Sequence, residues 1–193
     1  MLGFAICGSF CNYTNILSIL DSLKDTFPDI VPVFSFNARS LDTRFTEADN
    51  FYRKVKTLTG NEPITTIQQA EPIGPKNLFK LLLVCPCTGN TLSKIASGVS
   101  DTPVTMAVKS QLRSNGKVLI ALSSNDALSG SFHSFATMFQ RKNLFFVPMY
   151  QDDCTKKPYS LTFDKSKLIE SINDAENGIQ TQPIFTAPPN IKK

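Results

Sequence analysis

The chain has 193 residues, of which 41% are hydrophobic and 19% charged, and its formal net charge is +4. This length supports one domain with a substantial core, and the composition is that of an ordinary globular protein. The positive charge is spread along the chain, with its densest groups at 53–56 and 191–193. Nucleic-acid-binding proteins concentrate such charge and interleave it with aromatic residues, so we expect no nucleic-acid partner.

The sequence carries no sign of export or membrane insertion. The apolar run at residues 2–7 has neither the basic segment nor the cleavage site of a signal peptide. No apolar stretch approaches the ~20 residues of a membrane span. Five cysteines, an odd number, favour reduced thiols inside a cell. The predicted location is the cytoplasm, without membrane contact.

Strands and helices alternate along the first half of the chain. Continuous apolar runs predict buried strands, and apolar residues at helical spacing predict the helices between them. In chain order these are a strand over 2–7, a helix beginning at Asn12 or Thr14 and closed by Pro28, a strand over 30–36, a helix over 46–58 followed by Gly60, and a strand over 79–85. Residues 61–76, with three prolines, are predicted to be an irregular functional loop.

The second half continues the alternation. Thr102 and Pro103 mark a helix start, because proline suits the first helical position. The predicted elements are a helix over 90–96 stopped at Gly98, a helix over 102–113, a strand over 117–122, a helix over 130–141, a strand over 143–147 and a helix over 165–175. Residues 1–179 are thus predicted to form one domain, followed by a proline-containing and loosely held tail over 180–193.

This alternation predicts an α/β fold: a single Rossmann-like (flavodoxin-like) domain with a parallel sheet and helices on both faces. Ligands of such sheets bind at the carboxyl ends of the strands, where the strand order changes direction. Polar turns follow the first four predicted strands, and we expect them to line one crevice. These turns are Gly8 to Asn12, Ser35 to Asn37, Pro86 to Thr91 and Ser123 to Asp126.

Short hydroxyl and amide side chains next to helix starts suit a phosphate or another anion, since the first N–H groups of a helix are unpaired. The chain has neither the Gly-x-x-x-x-Gly-Lys-Ser/Thr motif of nucleoside triphosphate sites nor the Gly-x-Gly-x-x-Gly motif of dinucleotide sites. The alternative interpretation is that these residues only form turns and helix caps.

Cysteines at two strand ends raise a metal or nucleophile hypothesis. Cys7 and Cys11 follow one strand, and Cys85 and Cys87 follow another, but neither spacing is usual for zinc or iron–sulfur sites. A cysteine nucleophile would require a histidine base, and the lone His133 lies in a predicted helix between phenylalanines. We therefore predict no metal and no catalytic triad.

The stretch PCTGNTLSKIASGVSD at residues 86–101 resembles the flavoprotein family of homo-oligomeric flavin-containing cysteine decarboxylases and flavin prenyltransferases. The decarboxylases carry Pro-Ala-Ser-Ala-Asn-Thr here, followed by Lys-Ile-Ala-x-Gly-x-x-Asp, and the prenyltransferases begin the turn with Pro-Cys-Ser. Gly8-Ser9, and Ser35 with 37–38, resemble the phosphate-binding elements of the family. The resemblance covers most of residues 2–150.

The resemblance implies FMN as cofactor and a homo-oligomer, either a trimer or a trimer-based dodecamer. It implies two groups of cofactor-binding residues, one at the phosphate and one around the ribityl chain and isoalloxazine. The first group is Gly8, Ser9, Ser35 and Asn37; the second is Pro86, Cys87, Thr88, Gly89, Asn90 and Thr91, with Ser123 and Ser124 on the last flavin-side loop.

The chain also departs from both enzyme types. The catalytic histidine of the decarboxylases precedes the third strand, where this chain has none, and their Pro-x-Met-Asn clamp is replaced by residues 123–126. The Arg-Glu pair of the prenyltransferases is replaced by Ser-Ser. A non-catalytic binding module, and a decarboxylase or prenyltransferase with substitutions, remain alternative hypotheses.

Residues 8–11, 70–76 and 143–153 resemble one branch of the family, the flavoprotein-like subunits of two-subunit enzymes that make a pyridine dicarboxylate in sporulating bacteria. This implies a small dicarboxylate substrate, a role as one subunit of an oxidoreductase, and a nicotinamide-dependent partner. Glu71 is the predicted proton acceptor and Lys76 the predicted carboxylate ligand. Lys109 and Arg113 are further candidate cations, and the alternative for each lysine is a solvated surface charge.

Overall fold

The computed structural model describes residues 1–188, which form a seven-stranded sheet with helices on both faces. The strands are β1 (Leu2–Ile6), β2 (Ile30–Phe34), β3 (Leu81–Cys87), β4 (Lys117–Ser124), β5 (Leu144–Phe146), β6 (Met149–Tyr150) and β7 (Leu161–Phe163). Their order is β2-β1-β3-β4-β7-β6, and β5 pairs with the first half of β4. The pairings among β1 to β5 are parallel, whereas β7 pairs antiparallel with β4 and β6.

The predicted α/β class is confirmed. The sheet also has an antiparallel extension, formed by β6 and β7, which the sequence did not predict. Strands β6 and β7 have two and three residues, too few for a hydrophobic period to be recognised.

The helices are α1 (Tyr13–Leu23), α2 (Phe36–Ser40), α3 (Ala48–Thr59), α4 (Ile67–Ala70), α5 (Gly89–Ala96), α6 (Pro103–Arg113), α7 (Phe132–Phe139) and α8 (Leu168–Glu176). None of those within residues 1–188 has the length and hydrophobicity to cross a bilayer.

Strand β3 lies at the centre of the core and is buried along its whole length. Its side chains alternate between the two faces, as strand geometry requires. Leu82 and Val84 pack with α5, α6 and α7, whereas Leu81 and Leu83 pack with α1, α3 and α8. Helices therefore cover both faces, as the sequence predicts, and the sheet edge at the carboxyl ends of the strands stays open for a ligand.

Residues 61–76 are more regular than predicted. Ile64 forms a parallel bridge with Val33 and so adds to the sheet beside β2. Thr66 then begins α4 with a capping box in which its hydroxyl and the Gln69 side chain satisfy each other's backbone N–H groups. A four-residue helix gives no detectable apolar period, which explains why the sequence predicted a loop.

The predicted looseness of the tail is wrong for residues 180–186. The Gln180 amide bonds both the N–H and the C=O of Phe146, at 2.8 and 2.6 Å. Phe185 forms a parallel bridge with Met149, and Thr181 is buried. These contacts depend on single side chains and on one β-bridge, so no periodic pattern in the sequence predicts them. Residues 189–193 of the predicted tail lie outside the described residues.

Candidate functional site

The carboxyl ends of β1 to β4 bring their polar turns together, because parallel strands end at the same edge of the sheet. The turns line one crevice, which comprises a larger cavity of about 560 Å³ and a smaller cavity of about 350 Å³. Gly8, Thr88 and Asn90 line both cavities. The predicted convergence of the turns is therefore present in the structure.

The predicted cofactor-contacting residues divide between the two cavities and the layer beneath them. Ser9, Gly89, Ser123 and Ser124 line the larger cavity, and Ser35, Asn37 and Thr91 line the smaller one. Pro86 and Cys87 are buried at the end of β3, below the crevice. The contacts of all these residues with a cofactor stay predictions.

The third turn leads directly into helix α5. Thr88 is the N-cap, and its hydroxyl accepts a hydrogen bond of 3.2 Å from the N–H of Thr91. The same hydroxyl donates to the Thr91 hydroxyl at 3.0 Å. Asn90 lies inside the first turn of α5 and does not cap it. Its exposed side chain makes no hydrogen bond within residues 1–188, which leaves it available at the crevice.

Gly89 permits a close approach between the third and fourth turns. A Cβ atom at this position would lie 2.5 Å from both Asp126 Oδ1 and Ser124 Oγ, and it would also overlap Ser131 Oγ. These distances are well inside van der Waals contact. Any larger residue would separate the two turns, so the width of the crevice depends on this glycine.

The first and fourth turns are tied by the amide of Asn12. Its Nδ2 donates to Ser9 Oγ at 2.9 Å and to Ser123 Oγ at 3.0 Å. The sequence predicts Asn12 or Thr14 as the start of α1; Asn12 occupies the N-cap position but makes no side-chain cap hydrogen bond. Asn12 instead fixes two of the hydroxyls that face the larger cavity.

Asp126 organises the fourth turn. Its Oδ1 accepts hydrogen bonds from the hydroxyls of Ser124 and Ser131, and its Oδ2 also accepts from Ser131. Its backbone carbonyl accepts from the N–H groups of Ser129 and Ser131. The carboxylate is therefore occupied with holding the turn that lines the cavity.

The second half of the motif at residues 86–101 supplies an ion pair at the edge of the smaller cavity and the glycine that ends α5. Lys94 Nζ and Asp101 Oδ2 form an ion pair of 2.7 Å at the edge of the smaller cavity. The hydrogen bond from Lys94 is the main cause that lowers the pKa of Asp101. Gly98 ends α5 with a left-handed φ of 74°, which favours glycine.

The cysteines near the crevice are of two kinds. Cys7, Cys85 and Cys87 are buried, whereas Cys11 is exposed and lines the larger cavity. Burial raises the pKa of Cys7 to about 11, although bonds with the Thr91 side chain and Thr88 backbone partly oppose the shift. Burial also raises the pKa values of Cys85 and Cys87. Buried thiols of this kind are poor nucleophiles at neutral pH.

Residues 1–188 contain no group of three or more His, Cys, Asp or Glu side chains placed to hold a metal ion. The lone His133 is exposed on α7.

The structure does not bring Glu71 or Lys76 to the crevice of their own chain. The Glu71 carboxylate pairs with Arg113 at 2.5 Å, and its carbonyl accepts from Ser110 Oγ at 2.5 Å. Helix α6 begins after Thr102, which lines the crevice, and Ser110 lies eight residues later, about 12 Å along the helix axis. Glu71 therefore sits near the amino end of the sheet.

Lys76 follows Glu71 in the same segment and is exposed there. Of the other candidate cations, Arg113 is engaged with Glu71, and Lys109 Nζ donates to Ser100 Oγ at 3.3 Å. A role for Glu71 or Lys76 at a crevice would thus require the crevice of another copy, and it stays a prediction.

Sequence reasoning missed Arg44 and Phe45, which line the larger cavity from the segment between α2 and α3. No periodic pattern or family motif marked them. The only signal was a cation next to an aromatic residue, shortly after the second polar turn.

Residues 2–159 match the model of the flavoprotein family, whose description is Flavoprotein. The chain belongs to the flavoprotein family. The fold and the position of the crevice agree with this membership, and the predicted family resemblance is confirmed.

The flavoprotein chain is similar over nearly its whole length to the B subunit of dipicolinate synthase from Bacillus subtilis, at 38% identity over 95% of this chain and 92% of that protein. The crystal structure of the dipicolinate synthase B subunit from Bacillus halodurans C superimposes with a TM-score of 0.88 and 32% identity, over 97% and 96% of the two chains. This is the branch that the sequence resembles.

A crystal structure of an FMN-dependent cysteine decarboxylase, SpaF, is more distant. It superimposes with a TM-score of 0.64 at 20% identity, over 89% of this chain and 96% of that one. At this identity the likeness extends to the fold alone.

Proposed function

We propose that the chain is the FMN-binding subunit of a dipicolinate synthase. In this role it would help to oxidise dihydrodipicolinate, or its hydroxylated precursor, to pyridine-2,6-dicarboxylate, acting on a CH–CH bond. The partner would be the A subunit of dipicolinate synthase, a nicotinamide-dependent, dehydrogenase-like protein. The setting would be the cytoplasm of the mother cell during sporulation.

The observation that carries this proposal is the similarity to the dipicolinate synthase B subunit over 95% of the chain, joined to a crevice of matching chemistry. The crevice is lined by hydroxyls, amides and glycine backbone where the strand order reverses between β1 and β3. That is the position expected of a nucleotide-like ligand on a parallel sheet. Its two cavities also fall within the usual size range of cofactor sites, ~300–1,000 Å³.

The residues present fit FMN in a specific way. Gly8, Ser9, Ser35 and Asn37 would hold the phosphate, since they bring hydroxyl and amide groups to the crevice where α2 begins. Thr88 and Asn90 would lie against the ribityl chain and ring system with their neighbours in the third turn. Bound FMN would supply a two-electron acceptor; the chain would supply its orientation and the exclusion of water.

The choice of FMN over FAD or a dinucleotide rests on the single phosphate cradle and on the missing dinucleotide motif. Titration of the purified chain should therefore give tighter binding of FMN than of riboflavin, which lacks the phosphate, and of FAD. A tenfold ratio between FMN and riboflavin is about the effect of one charge-assisted contact. Equal affinities for all three would contradict the cradle.

The reaction itself is tested by reconstitution with the A subunit. Each of the two proteins is assayed alone and together, with and without FMN and nicotinamide cofactor, and the formation of pyridine-2,6-dicarboxylate is followed directly. We expect full activity only with both proteins and with FMN. Activity that needs this chain but not FMN would instead support a stabilising role without flavin chemistry.

That second candidate has an observation in its favour. The crevice of one chain contains neither of the predicted catalytic residues, Glu71 and Lys76. A chain that only stabilised its partner would bind no FMN and would still raise the activity of the A subunit.

A further inference from the structure

The larger cavity contains a cation that the proposed flavin contacts do not use. Arg44 lines this cavity, and none of the ion pairs formed among residues 1–188 involves it. The smaller cavity differs, because its cation, Lys94, is already paired with Asp101. A guanidinium free of carboxylate partners at a cavity wall is available to an anionic ligand.

The segment that carries Arg44 is held in place by its own hydrogen bonds. The N–H of Thr43 donates to the carbonyl of Thr46 at 3.1 Å, and the Thr43 hydroxyl accepts from the N–H of Phe45 at 3.2 Å. Asp42 Oδ1 accepts from the N–H of Ala48 at 2.8 Å, at the start of α3. The segment therefore presents Arg44 and Phe45 in a defined position at the cavity.

The two side chains form one surface. The Arg44 guanidinium carbon lies 4.9 Å from the centroid of the Phe45 ring, and the Phe45 residue is 51% exposed. On the fourth turn, the Asp126 carboxylate is occupied by Ser124 and Ser131. This cavity wall thus presents a guanidinium that has no carboxylate partner among residues 1–188, together with an aromatic ring that is half exposed beside it.

We propose that Arg44 and Phe45 form the wall of this cavity that binds the substrate and the product, where the guanidinium binds a carboxylate of the dihydrodipicolinate or of the pyridine-2,6-dicarboxylate formed from it, and the Phe45 ring packs on the six-membered ring of either. Guanidinium groups bind carboxylates through two parallel hydrogen bonds, and aromatic rings pair in offset or edge contacts. The substrate class is taken from the proposed function, on which this inference rests.

The test measures ligand binding to the full chain by calorimetry. The ligands are pyridine-2,6-dicarboxylate, its uncharged analogue pyridine-2,6-dicarboxamide, and FMN. In the Arg44→Met variant, which keeps most of the apolar stem, we expect the dicarboxylate to bind about tenfold more weakly, as the loss of a charge-assisted contact requires. Binding of the dicarboxamide and of FMN should change by less than about twofold.

Two further variants separate the role of the Phe45 ring from that of the Arg44 charge and provide a control. Phe45→Leu should weaken both pyridine ligands alike, by roughly threefold, because it removes a ring contact that does not depend on charge. Arg53→Met is the matched control, since Arg53 is on α3 and donates to the carbonyl of Asp49. It should bind all three ligands as the wild type does.

Equal weakening of the dicarboxylate and the dicarboxamide in Arg44→Met would overturn the inference, because Arg44 would then act by packing alone. A selective loss of FMN would also overturn it and would assign Arg44 to the phosphate. A wild-type chain that binds FMN but no dicarboxylate would refute this inference and leave the proposed function standing. A chain that binds the dicarboxylate through Arg44 but no FMN would refute the flavin role alone.

Discussion

At the scale of single residues, two different side chains at the start of helix α5 cap the helix and face the crevice. Thr88 caps the helix, and Asn90 faces the crevice without a hydrogen-bond partner in the described part of the chain. Loss of the Thr88 hydroxyl should therefore reduce helix stability, whereas loss of the Asn90 amide should weaken ligand binding without a cost in stability.

Thr88→Ala should lower the free energy of unfolding by about 1 kcal/mol, the usual cost of a lost N-cap. Thr88→Ser keeps the hydroxyl and should retain most of the stability. Asn90→Ala should unfold at the wild-type denaturant midpoint yet bind FMN more weakly. Chemical denaturation and FMN titration of the three variants check this, and an Asn90→Ala protein with wild-type FMN affinity would show that the ring lies elsewhere.

The cysteines provide an internal probe of the crevice. Cys11 and Cys154 are exposed, whereas Cys7, Cys85 and Cys87 are buried, and burial raises the pKa of the Cys7 thiol to about 11. A thiol reagent at mildly alkaline pH should label Cys11 and Cys154 in the native chain and all five cysteines after unfolding.

Cys11 lines the proposed flavin crevice, and Cys154 lines a separate cavity. Saturation with FMN should therefore slow the labelling of Cys11 while that of Cys154 proceeds at the same rate, which peptide mass spectrometry can measure. Equal protection of both thiols, or of neither, would argue against FMN in this crevice.

At the scale of elements, long periodic segments were predictable and short ones were not. The predicted helix over 102–113 agrees with α6, because a proline at its first position and an apolar period mark both its start and its course. Helices α2 and α4 have five and four residues, so they give no period to detect. Strands β6 and β7 depend on antiparallel pairing with distant residues, which a local pattern does not encode.

The part of the candidate site that lies at the carboxyl ends of the strands was predictable from the sequence. Polar turns after four apolar strands were visible in the sequence, and the fold rule for parallel sheets places them together. Arg44 and Phe45 reach the same cavity from a segment between two helices, so only tertiary structure reveals them. Glu71 was assigned to the site by resemblance to the family. This resemblance does not indicate whether Glu71 lies at the crevice of its own chain or at that of a neighbouring copy.

The packing of residues 71–76 on α6 depends on a buried serine. Ser110 is fully buried; its hydroxyl donates to the Glu71 carbonyl at 2.5 Å and accepts from the Gly74 N–H at 2.9 Å. Ser110→Ala removes the hydroxyl partner of both backbone groups and should cost about 1–3 kcal/mol of unfolding free energy.

Ser22→Ala is the matched control, because the Ser22 hydroxyl donates to a backbone carbonyl on the exposed side of α1. It should change stability by less than about 0.5 kcal/mol, as expected for a surface substitution. Thermal or chemical denaturation distinguishes the two, and similar values for both variants would mean that the Ser110 contacts contribute little.

At the scale of the whole molecule, the position of Glu71 bears on assembly. Glu71 lies near the amino end of the sheet, at the far end of α6 from the crevice. Large apolar side chains also remain exposed, among them Val99, Phe132 and Phe139, which are 42%, 47% and 39% exposed. Phe132 and Phe139 both pack against the Phe135 ring and so form one apolar surface on α7, and contiguous apolar surfaces often mediate association. A homo-oligomer could place Glu71 of one copy beside the crevice of the next.

The family resemblance implies a trimer or a trimer-based dodecamer, and we expect the 21.3 kDa chain to sediment as one of these at micromolar concentration. Cyclic symmetry would give each crevice the same neighbouring surface. A monomer in sedimentation equilibrium would exclude a shared site and, with it, a role for Glu71 or Lys76 in the chemistry.

A mixing experiment tests the shared site directly. Glu71→Gln should lower turnover in the enzyme reconstituted with the A subunit while FMN content stays unchanged, and Asn90→Ala should lower activity through loss of FMN. In oligomers assembled from equal amounts of both variants, about a quarter of the sites would combine an intact Asn90 with an intact Glu71 from the neighbouring copy. Activity should then recover to about that fraction, because each variant supplies what the other lacks. If the mixed oligomers stay as inactive as their components, Glu71 and the crevice do not meet across copies, and the Glu71 carboxylate serves only to bind Arg113.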